Sequence, residues 1–229
     1  MVRYADSTDL IATYVREEGL AEGVAASLSK EIALPHDVTI AMGEGGGGPE
    51  YVYATRTITF PWPFLGAVQH QLAAEGYTGE RLHRGVAGVA AFVLIHEIAH
   101  ALIDVLELPI TGREEDAADD FAAVVVLGYS HDPDAVRATA DFFHALDDRG
   151  DSAHRDVTEF MDEHSLSIQR FFTLACRLYG ADPGAHAHIA TTTGMSERRL
   201  ARCPEEFARV ATNWYRIIEP HLAPTSALR

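Results

Sequence analysis

Lysine is nearly absent from this chain of 229 residues: Lys30 stands alone among 18 basic residues, the rest being arginine. No Gly-Lys pair exists, which excludes a phosphate-cradling loop of the Walker type. Positive charge is scarce altogether, since 34 acids outnumber the bases and the formal net charge is −16. Nucleic acid and anionic membrane surfaces are bound through a basic footprint, so neither is expected as a partner. Cysteine is equally sparse. Cys176 and Cys203 can build neither a disulfide scaffold nor a four-cysteine zinc site. A single bridge between them would need an oxidising compartment. The N-terminal residues show no basic segment followed by an apolar one, so a cytoplasmic protein with two free thiols is expected. Long apolar runs are missing too. The longest, Val86 to Ile95, is about half of what spans a bilayer, and His96 and Glu97 follow it at once. There is no Gly-x-Ser-x-Gly elbow and neither cysteine sits in a nucleophile motif, which leaves serine and cysteine hydrolase chemistry without support.

What is present is ordinary globular composition, 47% hydrophobic and 23% charged. The length suits one domain, residues 1–229, with a core large enough to need no metal or disulfide merely to fold. Ser7-Thr8-Asp9 can cap a helix carrying Leu10, Ile11, Val15 and Leu20, weakened at Gly19 and Gly23 into what reads as two short helices. The period then changes to two. Alternation within 37–42, at Tyr51 and Tyr53, and within 56–60 predicts two or three short strands. The glycine-rich segment 43–49 between them reads as a hairpin tip. From Pro61 onward the pattern is helical. Breaks fall at Gly76 and Gly79, and helices are expected over 114–129, 133–148, 165–179, from Asp182-Pro183, and over 204–221, with a loop at 149–151. The expected fold class is α+β, a small N-terminal β-sheet within residues 1–60 followed by a mostly helical part, 61–229.

The chemistry sits at His96-Glu97-Ile98-Ala99-His100, an HExxH sequence. Residues four apart share a helix face, so both imidazoles can reach one ion, while Glu97 projects to the side where a water activated by that ion would lie. Zinc fits imidazole nitrogen and carboxylate oxygen, and catalytic zinc sites use three protein ligands. The preceding run is apolar all round, the mark of a buried helix. Polar side chains there need partners, because unpaired polar groups in a core are costly.

A third ligand must come from elsewhere. A downstream HExxHxxGxxH pattern fails, because Ile103 and Leu106 occupy the glycine and last-ligand positions. Asp104 reads as a supporting or surface carboxylate. The alternative is a glutamate on the following helix. Glu115 to Asp119 fits Glu-x-x-Ala-Asp, with Glu115 as ligand and Asp119, one turn on, accepting the free imidazole N–H of a ligating histidine. Glu114 is the rival for the ligand position. The small residues Ala117, Ala118, Ala122 and Ala123 would let this helix pack closely on the first.

The run 96–120 resembles a bacterial metallopeptidase family with zincin-like signatures of the glutamate-ligand (gluzincin) kind. The Arg56–Phe60 segment, Asp162-Glu163-His164, Gln169-Arg170-Phe171 and Tyr179-Gly180 resemble it as well, so the similarity spans about 35–220. The glycine-rich 43–49 loop departs from it. The resemblance implies a zincin-like fold and a bound metal, and His96, His100 and Glu115 together predict one Zn2+ per chain. Hydrolysis at zinc further needs a base and a donor for the developing oxyanion. Glu97 suits the base. His164, Arg170 and Tyr179 are candidates for the donor, with His164 foremost because it precedes a helix start. The acids between Asp132 and Glu163 read as a solvated face. His131, His144 and His154 are expected to be exposed, and His186 and His188 to face different sides of a helix. The expected function is therefore a zinc-dependent peptidase acting on a peptide. The rivals are a zinc amide hydrolase for a small-molecule intermediate and a non-catalytic zinc-stabilised binding protein. Retention of Glu97 speaks for catalysis.

Overall fold

The computed structural model describes residues 1–147 and 157–228. The expected loop at 149–151 and His154 lie outside the described residues. The protein is α+β and mostly helical, with a four-stranded sheet at the N-terminus. The strands are β1 (Val2–Tyr4), β2 (Thr39–Met42), β3 (Glu50–Val52) and β4 (Thr57–Phe60), in the order β1-β2-β4-β3. β1, β2 and β4 run parallel, with Ile40 beside Ile58. β3 runs antiparallel to β4, with Tyr51 beside Ile58, and forms one edge of the sheet. The parallel pairing explains the long excursion between β1 and β2, which holds α1 (Leu10–Glu17) and α2 (Leu20–Glu31). Asp9 caps α1 by accepting the N–H groups of Ile11 and Ala12, and Gly19, at φ +62°, separates the two helices as the sequence suggested. β1 escaped the sequence reading, because three residues are too few to show a period.

The helical part is built around α4 (Gly79–Val105), 27 residues long. It is long and apolar enough to cross a membrane, yet 83% of its apolar window is buried inside the fold. Helix α3 (Trp62–Ala74), α5 (Glu114–Gly128) and α6 (Pro133–Asp147) pack around it, and β3 and β4 lie against it from the sheet. A Cβ at Gly88 would come within 2.9 Å of the Ala135 Cα, so this glycine sets how closely α4 and α6 approach. Ala118, Ala122 and Ala123 on α5 are fully buried, which lets α5 lie close to α4. The remaining helices are α7 (Ser167–Ala181), α8 (Ile189–Thr192), α9 (Glu197–Leu200) and α10 (Cys203–Ile218).

Three expectations are corrected here. Asp182-Pro183 opens a turn rather than a helix, because the Asp182 carboxylate accepts the Ala185 N–H at 2.9 Å and Gly184 follows Pro183; His186 and His188 precede α8 and do not share a helix. α7 continues through Gly180, which is buried where its missing side chain admits the Cys203 carbonyl of α10. The cysteines are not free: Cys176 on α7 and Cys203 on α10 form a disulfide, both fully buried. Helical packing of α7 on α10 brings together two residues 27 apart in sequence, a proximity that the cysteine count alone does not reveal.

Candidate metal centre

His96 and His100 project from the same face of α4, one turn apart, and both are buried. Their Nε2 atoms stand 3.2 Å from each other. Glu115, in the first turn of α5, closes the triangle, with Oε2 at 3.1 Å from His96 Nε2 and Oε1 at 3.3 Å from His100 Nε2. Each histidine is held from behind. His96 Nδ1 lies 2.9 Å from Asp119 Oδ1, and His100 Nδ1 lies 2.7 Å from Glu114 Oε1. A carboxylate only accepts, so each Nδ1 carries a proton; with a cation at the centre, each Nε2 would turn its lone pair to that cation. Two imidazole nitrogens and one carboxylate thus converge on one point.

That donor set fits a metal ion. For zinc at about 2.0–2.1 Å from nitrogen and oxygen, the edges of a tetrahedron are about 3.3–3.4 Å, close to the separations here of 3.1, 3.2 and 3.3 Å. The electrostatics point the same way. Burial opposes a charge on His100, yet hydrogen bonds to Glu115 and Glu114 prevail and push its pKa up to about 9. Burial likewise opposes protonation of His96, and Asp119 and Glu115 outweigh it. Burial works against ionised Glu115 and Asp119 as well. The three histidines around Glu115, and Arg170 with His96 beside Asp119, hold both carboxyls well below the usual range. The cluster therefore demands positive charge at its centre, as protons or as a cation.

Glu97 is buried beside the histidines and lines the same cavity. Burial pushes its carboxyl up, while His96 and His100 draw it back. His164 also comes to the site. Its Nε2 is 2.9 Å from Glu115 Oε2 and its Nδ1 is 3.0 Å from Asp162 Oδ1; the hydrogen bond to Glu115 raises its pKa against burial. His164 is not one of the three donors that converge, and Arg113 donates to its carbonyl at 3.1 Å. The cavity in front of these groups measures about 640 Å³, within the range of small-ligand and cofactor sites. Val93, Phe142 and Phe143 supply apolar wall, and Tyr51 and Glu50 of the edge strand line it together with Gly47 and Gly48.

Other residues singled out in the sequence fall elsewhere. Asp104 accepts from the Tyr51 hydroxyl at 2.7 Å, and half-buried Tyr179 packs against the core away from the cavity. Glu114 takes the supporting position behind His100, and Tyr53, which the sequence did not flag, donates to it at 2.7 Å. Nothing near Tyr53 in sequence signals that contact, since the two residues are 61 apart.

No curated protein and no solved structure matches the chain. A family model described as "putative metallopeptidase" matches residues 4–218. The match covers the helices that carry the cluster of two histidines and a glutamate, and the chain belongs to that family.

Proposed function

We propose that this protein is a zinc-dependent peptidase of zincin-like organisation, with His96, His100 and Glu115 holding one zinc ion, Glu97 as general base and His164 as a hydrogen-bond donor to the reacting carbonyl. The observation that carries the proposal is the convergence of three metal-suited acceptors, 3.1–3.3 Å apart, beside a buried carboxylate that is not one of them. Zinc, when bound, supplies a Lewis acid and lowers the pKa of water to about 7. Glu97 would accept a proton from the attacking water as its oxygen bonds to the carbonyl carbon, and would pass that proton to the nitrogen that leaves as the C–N bond breaks. Its buried setting limits competing solvent and keeps its basicity above that of a surface carboxylate. Asp119 and Glu114 fix the two imidazoles in the tautomer that offers Nε2. His164 lines the cavity with Nδ1 steadied by Asp162, and its Nε2–H, which faces Glu115 at 2.9 Å, would turn to a developing oxyanion once Glu115 holds the ion.

A peptide is favoured over a small amide because β3 is an edge strand whose residues line the cavity, and an extended chain can add to such an edge through backbone hydrogen bonds. Glu97→Gln keeps the shape and removes the base. On a mixed peptide library it is expected to bind zinc as the parent does and to lose at least about 10²-fold in turnover. A Glu97→Gln protein as active as the parent would overturn the mechanism.

A further inference from the structure

Arg170 is a cationic side chain of the cavity wall that the proposed reaction does not use. It sits on α7 in the first turn, well separated in sequence from the metal helix, and its guanidinium grips Asp119 with two hydrogen bonds of 2.7 Å, Nε to Oδ2 and Nη2 to Oδ1. Asp119 Oδ1 is the same oxygen that holds His96 Nδ1 at 2.9 Å. Asp119 is 4% exposed. On its other face Arg170 stacks over Phe143 of α6, with the guanidinium carbon 3.9 Å from the ring centroid. Three helices thus meet at one guanidinium: α5 through Asp119, α6 through Phe143, and α7 itself.

We infer that Arg170 is a positioning residue for the metal centre, acting through Asp119 on the orientation of His96; this rests on the zinc reading above. The physical reasons are two. A carboxylate with one hydrogen bond to an imidazole can rotate about its terminal torsion, whereas a planar fork matching both oxygens fixes its plane. Asp119 is also a buried charge whose neutral histidine partner does not balance it, and a charge without a partner in the interior is strongly unfavourable. Arg170 supplies that balance from the side away from the ion, so His96 can direct its lone pair inward. The chain Arg170–Asp119–His96 is therefore one unit, and the ring of Phe143 beneath the guanidinium sets its height. Lysine would keep the charge and lose the fork, which makes it the conservative variant.

The test compares Arg170→Met, Arg170→Lys and Asp119→Asn, and the double variant Arg170→Met/Asp119→Asn, in chelator-competition titrations with zinc. Melting temperature is followed alongside, and the visible spectrum of the cobalt(II)-substituted protein reports ligand geometry. Arg170→Met keeps the stem over Phe143 and is expected to weaken zinc binding about 10–100-fold and to alter the cobalt spectrum. Arg170→Lys should recover part of the affinity. The double variant should bind no more weakly than Asp119→Asn, because the arginine acts only through that carboxylate. Arg170→Met with a lowered melting temperature but parental zinc affinity and cobalt spectrum would overturn the inference and leave the zinc reading standing, since the arginine would then merely tie α7 to α5. A further loss in the double variant would overturn it too. A parent chain that takes up no zinc would overturn both.

Discussion

Reducing the Cys176–Cys203 bridge isolates the contribution of one cross-link to the packing of α7 on α10. The closed segment spans 27 residues. In the chain-entropy description a loop of that size removes about 12 cal/mol/K from the unfolded ensemble, about 3.6 kcal/mol at 25 °C. For 229 residues the unfolding entropy near the midpoint is about 0.5 kcal/mol/K. Loss of the cross-link should therefore lower the melting temperature by about 7 °C. Both sulfur-bearing residues are fully buried, so the reductant has to be present while the chain unfolds and refolds. The assay is calorimetry of protein refolded with and without a phosphine reductant, paired with thiol titration under denaturing conditions. Unreduced protein should titrate no thiols, and the reduced form two. Two thiols in the unreduced protein, or melting temperatures that agree within about 2 °C, would refute the reasoning.

The other predictions concern single side chains. Glu115→Gln should nearly abolish zinc binding, whereas Glu114→Gln, which alters the partner of His100 Nδ1, should weaken it only about 10–100-fold in the same titration; equal effects would mean that Glu114 is a ligand. Gly180→Ala would drive a methyl group into the Cys203 carbonyl and within 3.0 Å of Phe207 Cβ, so urea denaturation should show a loss of about 1–3 kcal/mol. Burial pushes the Asp141 carboxyl up against the hydrogen bond it accepts from Tyr77. Because the folded pKa is the higher one, ionisation of Asp141 weakens the fold as pH rises through it, and the penalty is absent below the unfolded value of about 3.9. Asp141→Asn should therefore stabilise the protein at pH 7 and lose that advantage as the pH is lowered toward about 4; an advantage that grows on acidification would contradict the assignment.

Local signals were legible and distant ones were not. The pairing of His96 with His100 follows from helical spacing alone, and Glu115 with Asp119 follows from the same rule applied to the next helix. Asp9, Gly19 and the alternation around Ile40 and Ile58 marked helix ends and strands because each acts within a few residues. The contacts that complete the site cross long stretches of chain, Tyr53 to Glu114 and Arg170 to Asp119, and in the fold the Cys176–Cys203 bridge does so as well. Arg170 was visible as a candidate, but its target among 34 acids was not. The packing of α7 against α5 and α10 selects those partners, and no periodicity encodes it. At Asp182-Pro183 the local rule misled, since a cap followed by proline also opens a single turn when glycine comes next.

The central claim is that His96, His100 and Glu115 hold a metal ion. Elemental analysis of the purified native protein, repeated on His96→Ala and His100→Ala, tests it most directly. The account predicts about one zinc per chain in the parent, full occupancy in Glu97→Gln, and none in either histidine variant. A folded parent that carries no metal and takes up no zinc when it is supplied in excess would contradict it.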